Sequence, residues 1–112
     1  MRNLAALLAD YTAALNRHDL ETVENMFSES AVYVSPDLNG EIKGRAAIMA
    51  AFRRYFAEHA DQVNVDEGVR VLDANTLQAR WRLESSKSKR SGKQIINFNA
   101  EGEIQRIEVR DD

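Results

Sequence analysis

From Leu77 to Leu83 apolar and polar residues alternate strictly, with Leu77, Ala79, Trp81 and Leu83 on one side and Gln78, Arg80, Arg82 and Glu84 on the other. This is the period of a strand with one buried face. The only Trp lies on the apolar side, so the core is expected on the Trp81 side and a charged sheet face opposite. Upstream, Val63, Val65, Val69 and Val71 keep period two across Asp66-Glu67-Gly68, where the glycine suggests a bulge or bend. Downstream, Lys87 to Gly92 reads as a hairpin loop, Lys93 to Asn99 as a strand, Asn99 to Gly102 as a turn and Glu103 to Arg110 as the last strand.

The first half of the chain changes period. Leu4, Leu7, Leu8, Tyr11 and Leu15 recur at helical spacing behind a possible N-cap at Asn3, and this helix ends near Arg17. Asp19 caps a shorter helix with Leu20, Val23, Met26 and Phe27 inward, ending in Ser28-Glu29-Ser30. Ala31 to Ser35 is β-branched and aromatic, and Pro36 closes it because proline donates nothing to a ladder. Asn39-Gly40 is a strong hairpin signal that folds Glu41-Ile42-Lys43 back on that strand. After Gly44 a third helix buries Ile48, Met49, Phe52, Tyr55 and Phe56 and leaves Arg53, Arg54 and Glu58 in water. Helix, helix, short hairpin, helix and then a four-strand antiparallel meander is an α+β arrangement, with helices gathered on one face of a bent sheet.

Composition narrows the chemistry. A chain of 112 residues is expected to be one domain, spanning 1–112, able to bury about two-thirds of its unfolded surface without staples. The absence of Cys excludes disulfides, thiol nucleophiles and thiolate metal sites. With 15 basic and 18 acidic residues the net charge is -3, so the chain has no electrostatic reason to seek nucleic acid or an anionic membrane. The apolar run at the start stops at Asp10, too short for a signal core or a membrane span, and a soluble, cytoplasmic protein is expected. His18 beside Asp19 and His59 at a helix end lack a second ligand at helical spacing and read as surface residues, so neither a metal nor a cofactor is expected. Lys87 to Lys93 reads as a solvated hairpin tip rather than an RNA patch.

Several fragments carry a resemblance. Tyr11-Thr12-Ala13-Ala14-Leu15-Asn16, Asp19-Leu20, Phe27, Ala31-Val32, Pro36, Gly44-Arg45-Ala46-Ala47-Ile48, Phe98 and Gly102-Glu103-Ile104, in this order and spacing, resemble the nuclear transport factor 2-like superfamily, with its SnoaL-like and ketosteroid-isomerase-like members nearest. The resemblance implies a cone: three N-terminal helices packed on a strongly curved, mainly antiparallel sheet of about six strands, with an apolar cavity at the open end. In ketosteroid isomerase a first-helix tyrosine donates to the developing oxyanion, and Tyr11 is in the similar place. The family's general base is an Asp directly before a proline, where this chain has Ser35; a protonated Asp on the fifth strand is the second donor, and the count back from Phe98 puts Gln94 there. Two of the three catalytic groups are therefore replaced, and ketosteroid isomerase activity is not expected. No His, Asp or Glu is placed by sequence to activate Ser35 inside the cavity, and Asp37 reads as a solvated turn residue.

Two function classes follow. One is a pocket that binds a small hydrophobic molecule, as an enzyme of isomerase, cyclase or hydrolase type or as a binder, with Tyr11, Tyr33, Ser35, Trp81, Gln94, Met49 and Phe52 as lining candidates. The other is a non-catalytic association module whose cavity is plugged by Met26, Met49 and Phe52. The resemblance also implies a homodimer through the outer sheet face, and that face would carry Arg70, Arg80, Arg82, Glu84, Arg106 and Glu108.

Overall fold

The computed structural model describes residues 3–36, 40–87 and 89–112. Helix α1 (Leu4–Asn16) starts where the Asn3 side chain accepts from the Ala6 amide at 3.1 Å. Helix α2 (Leu20–Met26) starts where Asp19 accepts from the amide and the hydroxyl of Thr22 at 3.2 and 2.7 Å. In both, a short polar side chain satisfies amides that the first turn leaves without carbonyl partners. Strands β1 (Phe27–Ser35) and β2 (Gly40–Lys43) follow, then helix α3 (Arg45–Glu58) and strands β3 (Val63–Asp73), β4 (Thr76–Glu84), β5 (Lys89–Phe98) and β6 (Ile104–Asp111).

The six strands form one curled sheet in the order β2-β1-β6-β5-β4-β3. β3 to β6 is an antiparallel meander, whereas β1 lies parallel to β6, so the sheet is mixed. Helices cover its inner face. Leu8 and Ala14 of α1, Val23 of α2, and Ile48 and Met49 of α3 pack with Leu77, Ile96 and Ile107 into one core. Trp81 and Ala79 are buried on the side where the alternation placed them, and Arg80 is exposed on the other.

The element order is the expected one, with two helices before the β1–β2 pair and α3 after it. Two boundaries differ from the expectation. Phe27 starts β1 instead of ending α2: its backbone is extended (φ -97°, ψ 143°), it pairs with Ile104, and the Ser28 hydroxyl donates to Gln105 Oε1 at 2.9 Å. Here sheet pairing outweighs the helical spacing of the apolar side chains. β5 begins at Lys89, so most of the expected loop is strand, and Arg90, Ser91 and Gly92 pair with Leu83, Arg82 and Trp81. The ion pair Arg90–Asp111 at 2.7 Å and the Ser91 bond to Asp112 at 2.8 Å hold this end against the last strand. Asp37 and Asn39 lie outside the described residues. The pairing that the hairpin signal implied, Val32–Ser35 with Gly40–Lys43, is present.

Candidate functional site

Beyond the core, the inner face of the sheet and the two longer helices diverge to leave a cleft. Helix α1 supplies Tyr11, Thr12 and Leu15; α3 supplies Phe52, Tyr55 and Phe56; the sheet supplies Tyr33 and Ser35 from β1, Asn64 and Asp66 from β3, Trp81 and Leu83 from β4, Gln94 from β5 and Val109 from β6. Gln62 completes the wall and accepts from the Tyr55 hydroxyl at 2.9 Å. The centre of a water molecule has about 90 Å³ to move in, room for about six waters or one small ring. Empty space out to the open mouth reaches about 710 Å³, but the smaller figure describes the sheltered part.

Six of the fifteen wall residues are aromatic. Tyr33 meets Phe52 edge to face at 5.1 Å, Phe52 meets Phe56 at 6.0 Å, and Tyr55 meets Phe56 at 6.1 Å. Tyr11 is anchored deeper, with its ring edge-on to Phe27 at 5.9 Å. Such contacts fix ring orientation as well as burying area. Burial foremost, and then Tyr33 and Asp66 close by, push the Tyr11 phenol well above its ordinary range, so it is a neutral O–H donor. Trp81 is 6% exposed, and its indole N–H has no acceptor among the described residues. A buried donor left unpaired costs about 1–3 kcal/mol.

Asp66 is the charged residue that the sequence reading did not place here. Asp66 pairs with Trp81 across β3–β4, but the next pair is Gly68 with Arg80, so Glu67 is an extra residue on β3. A bulge of this kind reverses which side chains face the core. Below it Val69 and Val71 oppose Ala79 and Leu77; above it Asn64 and Asp66 oppose Leu83 and Trp81. The valines at 63 and 65 therefore fall on the outer side, opposite Glu84 and Arg82. Partial burial raises the Asp66 carboxyl above its ordinary value, against the opposing effect of the Thr12 hydroxyl, which donates to it. Asn64 is held by a reciprocal pair of bonds to Asn16 at the end of α1, Asn16 Nδ2 to the Asn64 carbonyl at 2.9 Å and the Asn64 amide to Asn16 Oδ1 at 2.8 Å. This clamp fixes β3 against α1 two residues before Asp66.

Of the lining candidates, Tyr11, Tyr33, Ser35, Phe52, Trp81 and Gln94 reach the cleft wall. Met49 does not: it is fully buried in the core, one turn before Phe52 on α3. Met26 packs against the core cluster and is likewise absent from the wall. Asp66 adds to the wall a carboxylate that the sequence did not place there. The signal that could have found it is Gly68, which marked the bulge without showing on which side of it the parity changes.

Solved structures share this architecture. An epoxide hydrolase/cyclase-like enzyme of pyran ring formation in the polyether salinomycin is 19% identical, with 96% of this chain and 89% of that one covered at a TM-score of 0.84. A SnoaL-like protein of unknown function from Burkholderia thailandensis is 14% identical over 96% of this chain and 93% of the other, also at 0.84. A nuclear transport factor 2-like protein of unknown function from Cytophaga hutchinsonii is 14% identical over 100% and 92%, at 0.81. At these identities the likeness is one of fold. No curated protein matches the chain. The family described as SnoaL-like domain matches residues 8–111, nearly the whole sequence, and the chain belongs to that family.

Proposed function

We propose that the cleft binds a small molecule with a largely apolar body, in the cone-like setting that the family resemblance implies. The observation that carries this is convergence: Tyr11, Tyr33, Ser35, Trp81, Gln94 and Asp66 meet on one space walled by aromatic rings. A ligand site typically combines such a wall with a few placed polar groups. A sealed core has no use for a buried serine, glutamine and indole donor together. Ser35 and Gln94 stand where ketosteroid isomerase has its carboxyl groups, so that reaction is not assigned. Any proton transfer of isomerase, cyclase or hydrolase type falls to Asp66, the one carboxylate among the lining residues. The test is a panel of small ring compounds followed by Trp81 fluorescence and melting temperature. Members that bind should change the emission and raise the melting point together, since binding to the folded state alone stabilises it. No response to any neutral or cationic member of the panel would retire the pocket in favour of an association module.

We further propose a cytoplasmic homodimer formed through the outer sheet face. That face carries the ion pairs Arg80–Asp112, Arg82–Glu67 and Arg106–Glu108 at 2.6, 2.9 and 3.2 Å, so its association has to be polar. Exposed charges are screened by salt, and sedimentation should show the dimer weakening from low to high ionic strength. A monomer at both salt levels rejects it.

A further inference from the structure

We propose that the ligand of this cleft is a small organic cation, a protonated or quaternary amine whose ammonium end sits beside Asp66 inside the aromatic wall. This rests on the reading of the cleft as a ligand site and specifies what it takes.

The first argument is the distribution of aromatic residues. The chain has three Tyr, one Trp and four Phe, and all three Tyr, the Trp and two of the Phe line this one space. Ring faces carry negative potential and attract cations, most strongly where water is excluded. An aromatic wall alone would serve a neutral ring equally well, so charge has to decide.

The second argument is that charge. Asp66 is the sole carboxylate of the wall, and no Lys, Arg or His accompanies it there among the described residues. Its one hydrogen-bond donor is the neutral hydroxyl of Thr12, and no basic side chain contributes to holding it ionised. Several acids outside the cleft do have basic partners: Asp112 has Arg80, Glu67 and Glu84 have Arg82, and Glu108 has Arg106 and Arg110. A partly buried carboxylate without an internal cation is costly, and seating a neutral apolar molecule over it would strip more water from it. An ammonium group reverses that effect, because the same desolvation strengthens its attraction to the carboxylate and to the rings. The third argument concerns shape. The sheltered volume of about 90 Å³ suits a compact head group.

Choline and its uncharged carbon isostere, 3,3-dimethylbutan-1-ol, have the same shape and hydroxyl and differ in charge. Titrated into the unmodified protein and followed by Trp81 emission and calorimetry, choline should bind about tenfold or more tightly than the isostere. Asp66→Asn, which keeps an acceptor for Thr12, should bring the two within about twofold of each other. The comparison on the unmodified protein stands by itself if that variant fails to fold. Equal or tighter binding of the isostere overturns the cation inference while leaving the cleft a ligand site. Binding of neither molecule, together with silence across the panel of neutral rings, removes the ligand site and the cation with it. Binding of neutral rings but of neither choline nor the isostere also overturns the inference.

Discussion

At the scale of single residues, the position of Trp81 depends on the absence of a side chain opposite it. Gly92 pairs with Trp81 on one side and Asp111 on the other, and a Cβ built there would lie 2.0 Å from the Arg110 carbonyl oxygen and 2.5 and 2.9 Å from the indole Cζ2 and Cε2. The carbonyl belongs to the sheet ladder and cannot yield as a flexible side chain would. Gly92→Ala should therefore cost about 3 kcal/mol or more, at or above the usual range for overpacking. It should also displace the indole from the cleft wall, so its emission should shift even in variant protein that remains folded. Thermal melts and emission spectra check both parts. A variant that melts with the parent and keeps its emission maximum would mean that Trp81 is not held by this contact. By contrast Gly40 and Gly44 have open space where a Cβ would go, and what they supply is the positive φ of 93° and 94° at the start of β2 and the cap of α3.

At the scale of elements, what was legible in the sequence is what one period can carry. β4 showed its inner and outer faces because Leu77 to Leu83 alternates without interruption, and α1 and α3 showed their buried stripes for the same reason at helical spacing. Tyr33 and Ser35 could be placed on one face by parity, and both are on the cleft wall. In β3 the glycine signalled the bulge that the structure has, but the valines keep period two through residues 63 to 71 while the backbone does not, so the exchange of faces at Glu67 that brings Asp66 inward was not legible. Apolar periodicity reports the side chains and does not show how a one-residue bulge in the same strand shifts its pairing. Phe27 and the Arg90-Ser91-Gly92 segment were misassigned because their structure comes from distant strands, β6 in the first case and both β4 and β6 in the second. The clamp between Asn16 and Asn64 is equally non-local, and it holds the bulged strand in place. Asn16→Ala removes both bonds at a site that water can reach, so a loss of about 1 kcal/mol is expected. Amide exchange should speed up in residues 63–66 while the β5–β6 ladder stays protected. Uniform acceleration throughout the sheet would show that the bonds are not a local clamp.

At the scale of the whole molecule, two classes of carboxylate oppose each other as pH falls. Asp19 accepts from the Thr22 hydroxyl and amide, Asp61 from Ser86, Glu108 from Arg110 and Arg106, and Asp112 from Ser91 and Arg80, and all four are held below their ordinary values. For these groups the unfolded chain takes up protons first, so their contribution to stability is present above the ordinary carboxylate range and is lost as pH falls through the lower folded values. Asp66 has the opposite sign. Its folded value is raised, chiefly by burial, so the native state carries a penalty at neutral pH that is relieved as pH falls through that raised value and is gone below the ordinary one. Asp66→Asn removes the charge and with it the penalty. The variant should melt at or above the parent near about pH 7, and the difference should shrink toward zero near about pH 3, where Asp66 in the parent is itself neutral. Both proteins should lose stability in acid, because those four carboxylates are unchanged between them. Melting temperatures at four or five pH values are sufficient to separate the two signs. A variant less stable than the parent at neutral pH, with the gap closing in acid, would mean that ionised Asp66 is stabilised by its surroundings in the empty protein, and the case for a missing counter-charge in the cleft would lose its physical basis.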